Sequence, residues 1–559
     1  MSDRTGRREE LVQTLEATAC ANVFVLLGVF AVAMTAFAVG GRIGGWTLLL
    51  GAILAVSGVW MAFRRRKVVL CAIGAAAVSH LAGALLGLTI YDGSFDGTYY
   101  HQEAVIRLAE GWNPLTEHAV SYGENGYSVW LDLYPKASWV AAAAMLKAIG
   151  HIEAGKLFNL TCMIAAGCAV AAVLLRVRGL SARFVTWISV LAALNPVAIY
   201  QSTTFYVDGL LGSLLTVLMA GLVVFSEYGR RLGLALALAS ACLVTNLKFT
   251  GLIYSVVCLG VGCLVTWYRF GKRAAFVTGA LALATGVISV FLLGYAPYVR
   301  NLREKGAMLY PVTGPQKIGI IAIGNQRPLN LVDKDRFSRF LIANFSRSED
   351  VLGARPSRLK FPLSVSRVEV ATFREYDIRV GGFGPFFGVA LLCLGTMGAT
   401  VLVRRDRARW GGIWVLTATV LVTIFMHTEG WWARYVPQTW LLPLLFAAVS
   451  LVSGVTWLRR VAWATLILLT VNSAFVGSCY AYKQVRDTLA MRRALAEMAA
   501  ASQPIEVYLD FFVALRQRLS EAGIHYVLLQ KPPPEFRRHL IPWIPGYGEI
   551  FWLDPTPAR

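Results

Sequence analysis

Charged residues are scarce in this chain. Asp, Glu, Lys and Arg make up 15% of its 559 residues, against about a quarter in an average soluble domain. That deficit excludes an ordinary water-soluble globule. Its nine cysteines lie almost all inside apolar runs, and no pair falls in a long polar segment. They act as small core residues, and no disulfide framework is expected. No internal repeat and no low-complexity linker breaks the sequence. No His, Cys, Asp or Glu cluster has clear metal-ligand spacing, so no cofactor is assigned and dependence on a divalent metal stays open.

Hydrophobic residues, by contrast, make up 57% of the chain, and its mean hydropathy is +0.58. This is the composition of a membrane protein. The net charge of +21 resembles that of a nucleic-acid binder, but the basic residues sit in short clusters between apolar runs, where they act as topology signals. No nucleic-acid partner is expected. About thirteen apolar runs are long enough, alone or with a tilt, to cross a hydrocarbon core of about 30 Å. They lie near 20–40, 45–63, 68–90, 156–175, 184–200, 207–226, 232–246, 249–267, 275–296, 384–403, 410–426, 435–456 and 461–479. Spans of this kind must be helical. The polar, mixed-charge stretch 1–19 is too long and too acidic for a signal peptide, so the first run is expected to stay as an anchor.

Basic clusters at Arg64–Lys67, Arg176–Arg183, Arg230–Arg231, Arg269–Arg273, Arg404–Arg409 and Arg459–Arg460 follow every second run. The positive-inside rule then predicts a cytoplasmic N-terminus and an external C-terminus. Three long polar segments, 91–155, 297–383 and 480–559, fall on the outer side. Within the first, Ala137–Ile149 is too short to span comfortably and is expected to lie at the interface. The last is expected to form a small α/β unit, with helices near 485–500 and 507–521 and one strand at His525–Gln530, closed by Pro532-Pro533-Pro534.

The first outer segment opens with Ile90-Tyr-Asp-Gly-Ser-Phe-Asp-Gly-Thr-Tyr-Tyr-His-Gln-Glu103. Asp92 and Asp96 stand directly beyond an apolar run, with Tyr99, Tyr100 and His101 behind them. Outside the cytoplasmic membrane a transferase has no nucleotide sugar, so its donor must arrive on a lipid. Chemistry on a polyprenyl-phosphate sugar needs a base for the acceptor hydroxyl and cations for the departing phosphate. Asp96 or Asp92 fits the first role. Lys248, Arg300, Arg303 and Arg434, at the outer ends of other runs, fit the second. The plainer alternatives are a helix N-cap for Asp96, a turn residue for Asp92, snorkelling for the arginines and a satisfied interfacial imidazole for His101. Asp208 either caps the next span or binds acceptor or metal. Glu103, Glu110 and Asp132 are expected to be solvated.

These motifs resemble the GT-C superfamily of integral-membrane glycosyltransferases, which includes protein mannosyltransferases, lipid A aminoarabinose transferases and mycobacterial arabinosyltransferases. The matching elements are Asp96-Gly-Thr-Tyr-Tyr, Gly111-Trp-Asn-Pro114, Asn195-Pro196, Tyr298-Val-Arg-Asn301 with Tyr310-Pro311, Gly381-Gly-Phe-Gly-Pro385 and Ala433-Arg-Tyr435, in that order over about residues 68–456. The resemblance implies an all-α polytopic membrane fold with two added helices in 1–67, a GT-C-like core over 68–479 and an extracytoplasmic unit over 480–559. It implies an inverting transferase of a bacterial inner membrane that moves a sugar from a polyprenyl-phosphate donor to a glycan, lipid or protein acceptor. Asp96 or Asp92 would be the base, Arg434, Arg300, Lys248 and Arg303 would hold the donor phosphate, and His101, Tyr99, Tyr100 and Asp208 would bind substrate. Three features depart from the family: the acidic segment follows the third apolar run, where the family's usually follows the first; Gly97, not a second acid, follows Asp96; and Trp431-Trp432 is followed by Ala433, without the Trp-Trp-Asp motif of oligosaccharyltransferases. The rival readings are a ligase or polymerase for polyprenyl-diphosphate-linked glycans, a transporter or lipid flippase, and an inactive scaffold.

Overall fold

The computed structural model describes residues 2–119, 128–318, 327–350, 355–403, 407–509, 511–531, 538–539 and 551–553. They form a predominantly helical membrane protein. Among them, seven helices are long and apolar enough to cross a bilayer: Gly6–Ala38, Gly45–Ala62, Arg66–Thr89, Ile152–Leu174, Asp208–Tyr228, Phe249–Leu293 and Thr456–Ala499. Shorter apolar helices cover Ala137–Ile149, Ala182–Ala193, Arg231–Leu247, Phe387–Leu402, Gly411–Met426 and Pro437–Val452. Large apolar side chains such as Leu81, Leu85, Phe276 and Leu283 point outward from these helices, as lipid-facing surfaces do. All nine cysteines are free.

Local chemistry explains where helices deviate from the apolar runs. The run at 184–200 is two helices, because Pro196 has no N–H to continue the first one. Asn195 accepts a hydrogen bond from the Val197 amide at 3.0 Å and caps a new helix, Pro196–Gln201. The helix Phe249–Val287 breaks at Gly271, whose φ of +83° is the left-handed region that suits glycine. The first two helices touch closely: a side chain on Gly28 would meet the Gly51 carbonyl oxygen at 2.6 Å, the close approach that small residues permit between membrane helices.

The last long helix, Thr456–Ala499, has 44 residues and is therefore about 66 Å long. That is more than twice a hydrocarbon core of about 30 Å. The separate helix expected near 485–500 is its C-terminal half, which carries the C-terminal unit. There the sequence reading needs correction. Residues expected in a helix over 507–521 begin as a strand, β1 (Ile505–Tyr508), and the helix shrinks to Arg516–Glu521. β1 pairs in parallel with β2 (Tyr526–Leu528), and β3 (Arg538–His539) and β4 (Phe551–Leu553) complete a four-stranded sheet of order β2-β1-β4-β3. Ile505 and Val507 alternate inward along β1, a period-2 pattern too short to separate from a helical one by sequence. Pro532–Pro534 lie outside the described residues, as do residues 404–406 of one basic cluster.

The core of this unit includes Met491, Leu495, Ile505, Phe512, Leu515 and Leu519, and Tyr91, Phe95 and Tyr99 of the first polar segment pack against it. Charged contacts reinforce the seam. Glu103 is fully buried, not solvated as expected, and pairs with Arg107 at 2.7 Å and with Arg516 from the C-terminal unit. Its partner lies 413 residues away in sequence, so no local pattern could reveal it.

Candidate functional site

A cavity of about 350 Å³ opens where this seam meets the helix ends. Its walls come from the segment 93–101, from Trp130 and Tyr134, from Tyr206–Asp208 ahead of a long helix, from Lys248, from the stretch 375–379, and from Trp432, Arg434 and Tyr435.

Arg434 is the hub. Each of its nitrogens serves a different carboxylate: Nε reaches Asp208 at 3.0 Å, one terminal nitrogen Asp377 at 2.6 Å, and the other Asp96 at 3.1 Å. Among the described residues these are its acceptors, which leaves one N–H on each terminal nitrogen. Asp208 also binds Lys248 at 2.5 Å and accepts from Gln201 at 3.2 Å. Lys248 also lies 4.2 Å from the Tyr435 ring centroid, and among the described residues its ammonium hydrogen-bonds to Asp208 alone. The cluster holds three carboxylates against two cations.

Asp96 stands just ahead of a short π-helical turn, Gly97–His101, and its side chain makes no cap hydrogen bond. The N-cap alternative is thereby removed. The carboxylate is 23% exposed and faces the cavity. Burial raises its pKa above the ordinary carboxylate value; the Arg434 guanidinium opposes that rise. Asp208, expected as a possible cap, also makes no cap and is spent on Lys248, Arg434 and Gln201.

Asp92 does not line the cavity. It is fully buried, and its two oxygens accept from the amides of Ser94 and Phe205, each at 2.8 Å. Its own amide donates to Glu153 at 3.2 Å, and its carbonyl accepts from Arg518 at 2.6 Å. Glu153 pairs in turn with Lys156 at 2.5 Å and with Arg518. Asp92 is a sealed structural carboxylate, with no path for an acceptor hydroxyl to reach it. It also explains Gly97: a side chain there would fall 2.2 Å from the pinned Asp92 oxygen.

The four cations expected to hold phosphate separate into two pairs. Arg434 and Lys248 line the cavity; Arg300 and Arg303 do not. Arg300 is buried and donates to the carbonyls of Pro114 and Glu117, each at 2.9 Å, bracing the Gly111-Trp-Asn-Pro114 turn. Arg303 donates to the Tyr295 hydroxyl at 2.9 Å. Carbonyls and a phenol hold these arginines at places the cavity does not reach.

Tyr99, Tyr100 and His101 all line the cavity. Tyr100 packs on His101 with ring centroids 4.2 Å apart. The Trp139 indole donates to His101 Nδ1 at 2.6 Å, and burial pushes the imidazole pKa down to about 3. The ring is neutral at physiological pH. Sequence reasoning missed Asp377, Tyr206, Trp432 and Tyr435, and the far wall of Asp350, Glu375, Tyr376, Arg379 and Lys483. The signal was present in Glu375-Tyr-Asp-Ile-Arg379, a charged aromatic stretch next to an apolar run, as the segment around Asp96 is.

Among the described residues no group of three or more His, Cys, Asp or Glu side chains is placed to hold a metal ion. The three carboxylates converge on a guanidinium instead, whose charge a divalent ion would have to displace. A scan against protein-family models finds no match for the chain, and neither does a search of the curated proteins.

Proposed function

We propose that the chain is a GT-C-type glycosyltransferase of a bacterial cytoplasmic membrane that moves a sugar from a polyprenyl-phosphate donor to an acceptor hydroxyl, with inversion. In this reading about thirteen helices cross the bilayer, the N-terminus is cytoplasmic, and the cavity and the C-terminal unit face outward. The domains run 1–67, 68–479 and 480–559. The single observation that carries the reading is the Asp96–Arg434 contact on an open, aromatic-walled cavity. It joins a base with a raised pKa to a cation that has N–H bonds to spare.

The chemistry follows from that contact. Asp96 takes the proton from the acceptor hydroxyl as its oxygen bonds to the anomeric carbon. The bond from that carbon to the phosphate oxygen breaks, and the polyprenyl phosphate leaves with the electron pair. Arg434 and Lys248 receive the charge that develops on it. Protonation of Asp96 also removes one carboxylate's claim on Arg434, so the guanidinium is freed as the phosphate needs it. Tyr99, Tyr100, Trp130, Tyr206 and Trp432 offer apolar faces to a sugar ring.

The test compares surface glycans by mass spectrometry in a deletion strain, the strain rescued with wild type, and the strain rescued with Asp96→Asn at equal membrane levels. Restoration of a missing sugar by wild type alone supports the reading. Full restoration by Asp96→Asn, or no glycan change on deletion, overturns it.

A further inference from the structure

His101 sits on the cavity wall in an unusual state of definition. It is 3% exposed. Tyr100, Trp139 and Tyr206 surround it, with ring centroids 4.2, 5.6 and 6.2 Å away. Trp139, itself fully buried in the helix Ala137–Ile149, donates its indole N–H to Nδ1 at 2.6 Å. An indole nitrogen only donates, so Nδ1 must carry a lone pair, and a neutral imidazole must then carry its proton on Nε2. Nε2 has no hydrogen-bond partner among the described residues, and it is not sealed away from the cavity the ring lines. A donor that opens on a cavity and has no partner in the protein is available to an acceptor on a ligand.

We propose that His101 is a fixed, uncharged hydrogen-bond donor that recognises one oxygen of the bound sugar, and that Trp139 is the positioning residue that locks its Nε2–H tautomer. The ligand half of this rests on the glycosyltransferase reading; the tautomer half does not. A sugar oxygen suits this donor better than phosphate does. The imidazole is neutral and ringed by aromatic groups, while the anion has Arg434 and Lys248 to go to. A few placed polar groups in an otherwise apolar cavity are what fix a ligand's orientation. A site built to donate to a particular hydroxyl also rejects the analogue that lacks it. His101 would thus set which sugar is accepted, and its action would not depend on pH.

Two measurements test this on the full-length protein in lipid nanodiscs. The first is nitrogen NMR of histidine-labelled protein, with the His101 signal assigned by its absence in His101→Gln. The expected result is a single Nε2–H tautomer that does not titrate from about pH 5 to about pH 8 and that loses its tautomeric preference in Trp139→Phe. A titrating signal, or an Nδ1–H tautomer, overturns the proposal. The second uses a series of polyprenyl-phosphate sugars, each lacking one hydroxyl. Wild type is expected to disfavour one of them in kcat/KM by about tenfold or more. In His101→Phe that one discrimination should vanish while the others persist, and His101→Gln, which keeps an N–H, should retain part of it. If His101→Phe discriminates as wild type does, the recognition role falls alone. If wild type neither binds nor uses any such donor, the ligand assignment falls together with the glycosyltransferase reading.

Discussion

Asp92 and Asp96 stand in one loop with Gly-Ser-Phe between them, and burial raises the pKa of both. Each also belongs to a network of buried ions that joins distant parts of the chain. Asp92 lies beside Glu153, Lys156 and Arg518, and this network is closed: the carboxylate is fully buried and its oxygens are taken by two backbone amides. Asp96 shares Arg434 with Asp208 and Asp377, and its network borders a cavity. A shifted pKa therefore does not distinguish the candidate base from a structural carboxylate here. Access does, together with whether the partner cation has donors left to give.

The comparison breaks most visibly on activity. Asp96→Asn should lower kcat by about 10²–10⁴-fold, the range for losing a general base, with the thermal midpoint unchanged or raised. A matching loss of activity and stability would put Asp96 in the same class as Asp92. On stability the largest change is expected at Arg518→Met. It removes the cation between Glu153 and the Asp92 carbonyl and leaves a buried charge short of its partner, at a cost of about 3–5 kcal/mol. Urea unfolding of the detergent-solubilised protein measures it; a midpoint equal to wild type would mean the C-terminal unit is not held by this contact.

The pH dependence sharpens the contrast further. A base works with its proton off. Transfer should be full above the raised Asp96 pKa and fall about tenfold per pH unit below it, with the midpoint above the usual carboxylate value of about 3.9. The same shift has the opposite sign for folding. Because the folded state holds this proton more tightly, Asp96 contributes stability at low pH that is lost as pH rises through its folded pKa. A pH–rate profile with no acid limb, or one that survives in Asp96→Asn, would remove the base assignment. Asp92→Asn comes next, at about 1–3 kcal/mol of stability, because an amide nitrogen would face one of the two N–H donors. Its activity per folded molecule should stay within a few-fold of wild type. The smallest effect is expected at Arg303→Ala, which sits off the cavity. Its KM for donor should stay within about twofold, as for most exposed substitutions; a tenfold rise would return it to the proposed phosphate-binding set.

The sequence by itself determined that this is a helical membrane protein. Apolar run length and the obligation to satisfy every backbone group in lipid leave no other solution. It also picked out the segment around Asp96 and the pair Arg434 and Lys248, because charges at helix ends next to aromatic residues stand out against so apolar a background. It placed Asp92 beside Asp96 with no means of separating them, and it grouped Arg300 and Arg303 with cations they do not join. What distinguishes them is contact across long separations: 338 residues between Asp96 and Arg434, and 426 between Asp92 and Arg518. Spacing and periodicity are local and carry no record of such pairs. Only tertiary packing decided which carboxylate was walled in by backbone amides and which was left facing open space.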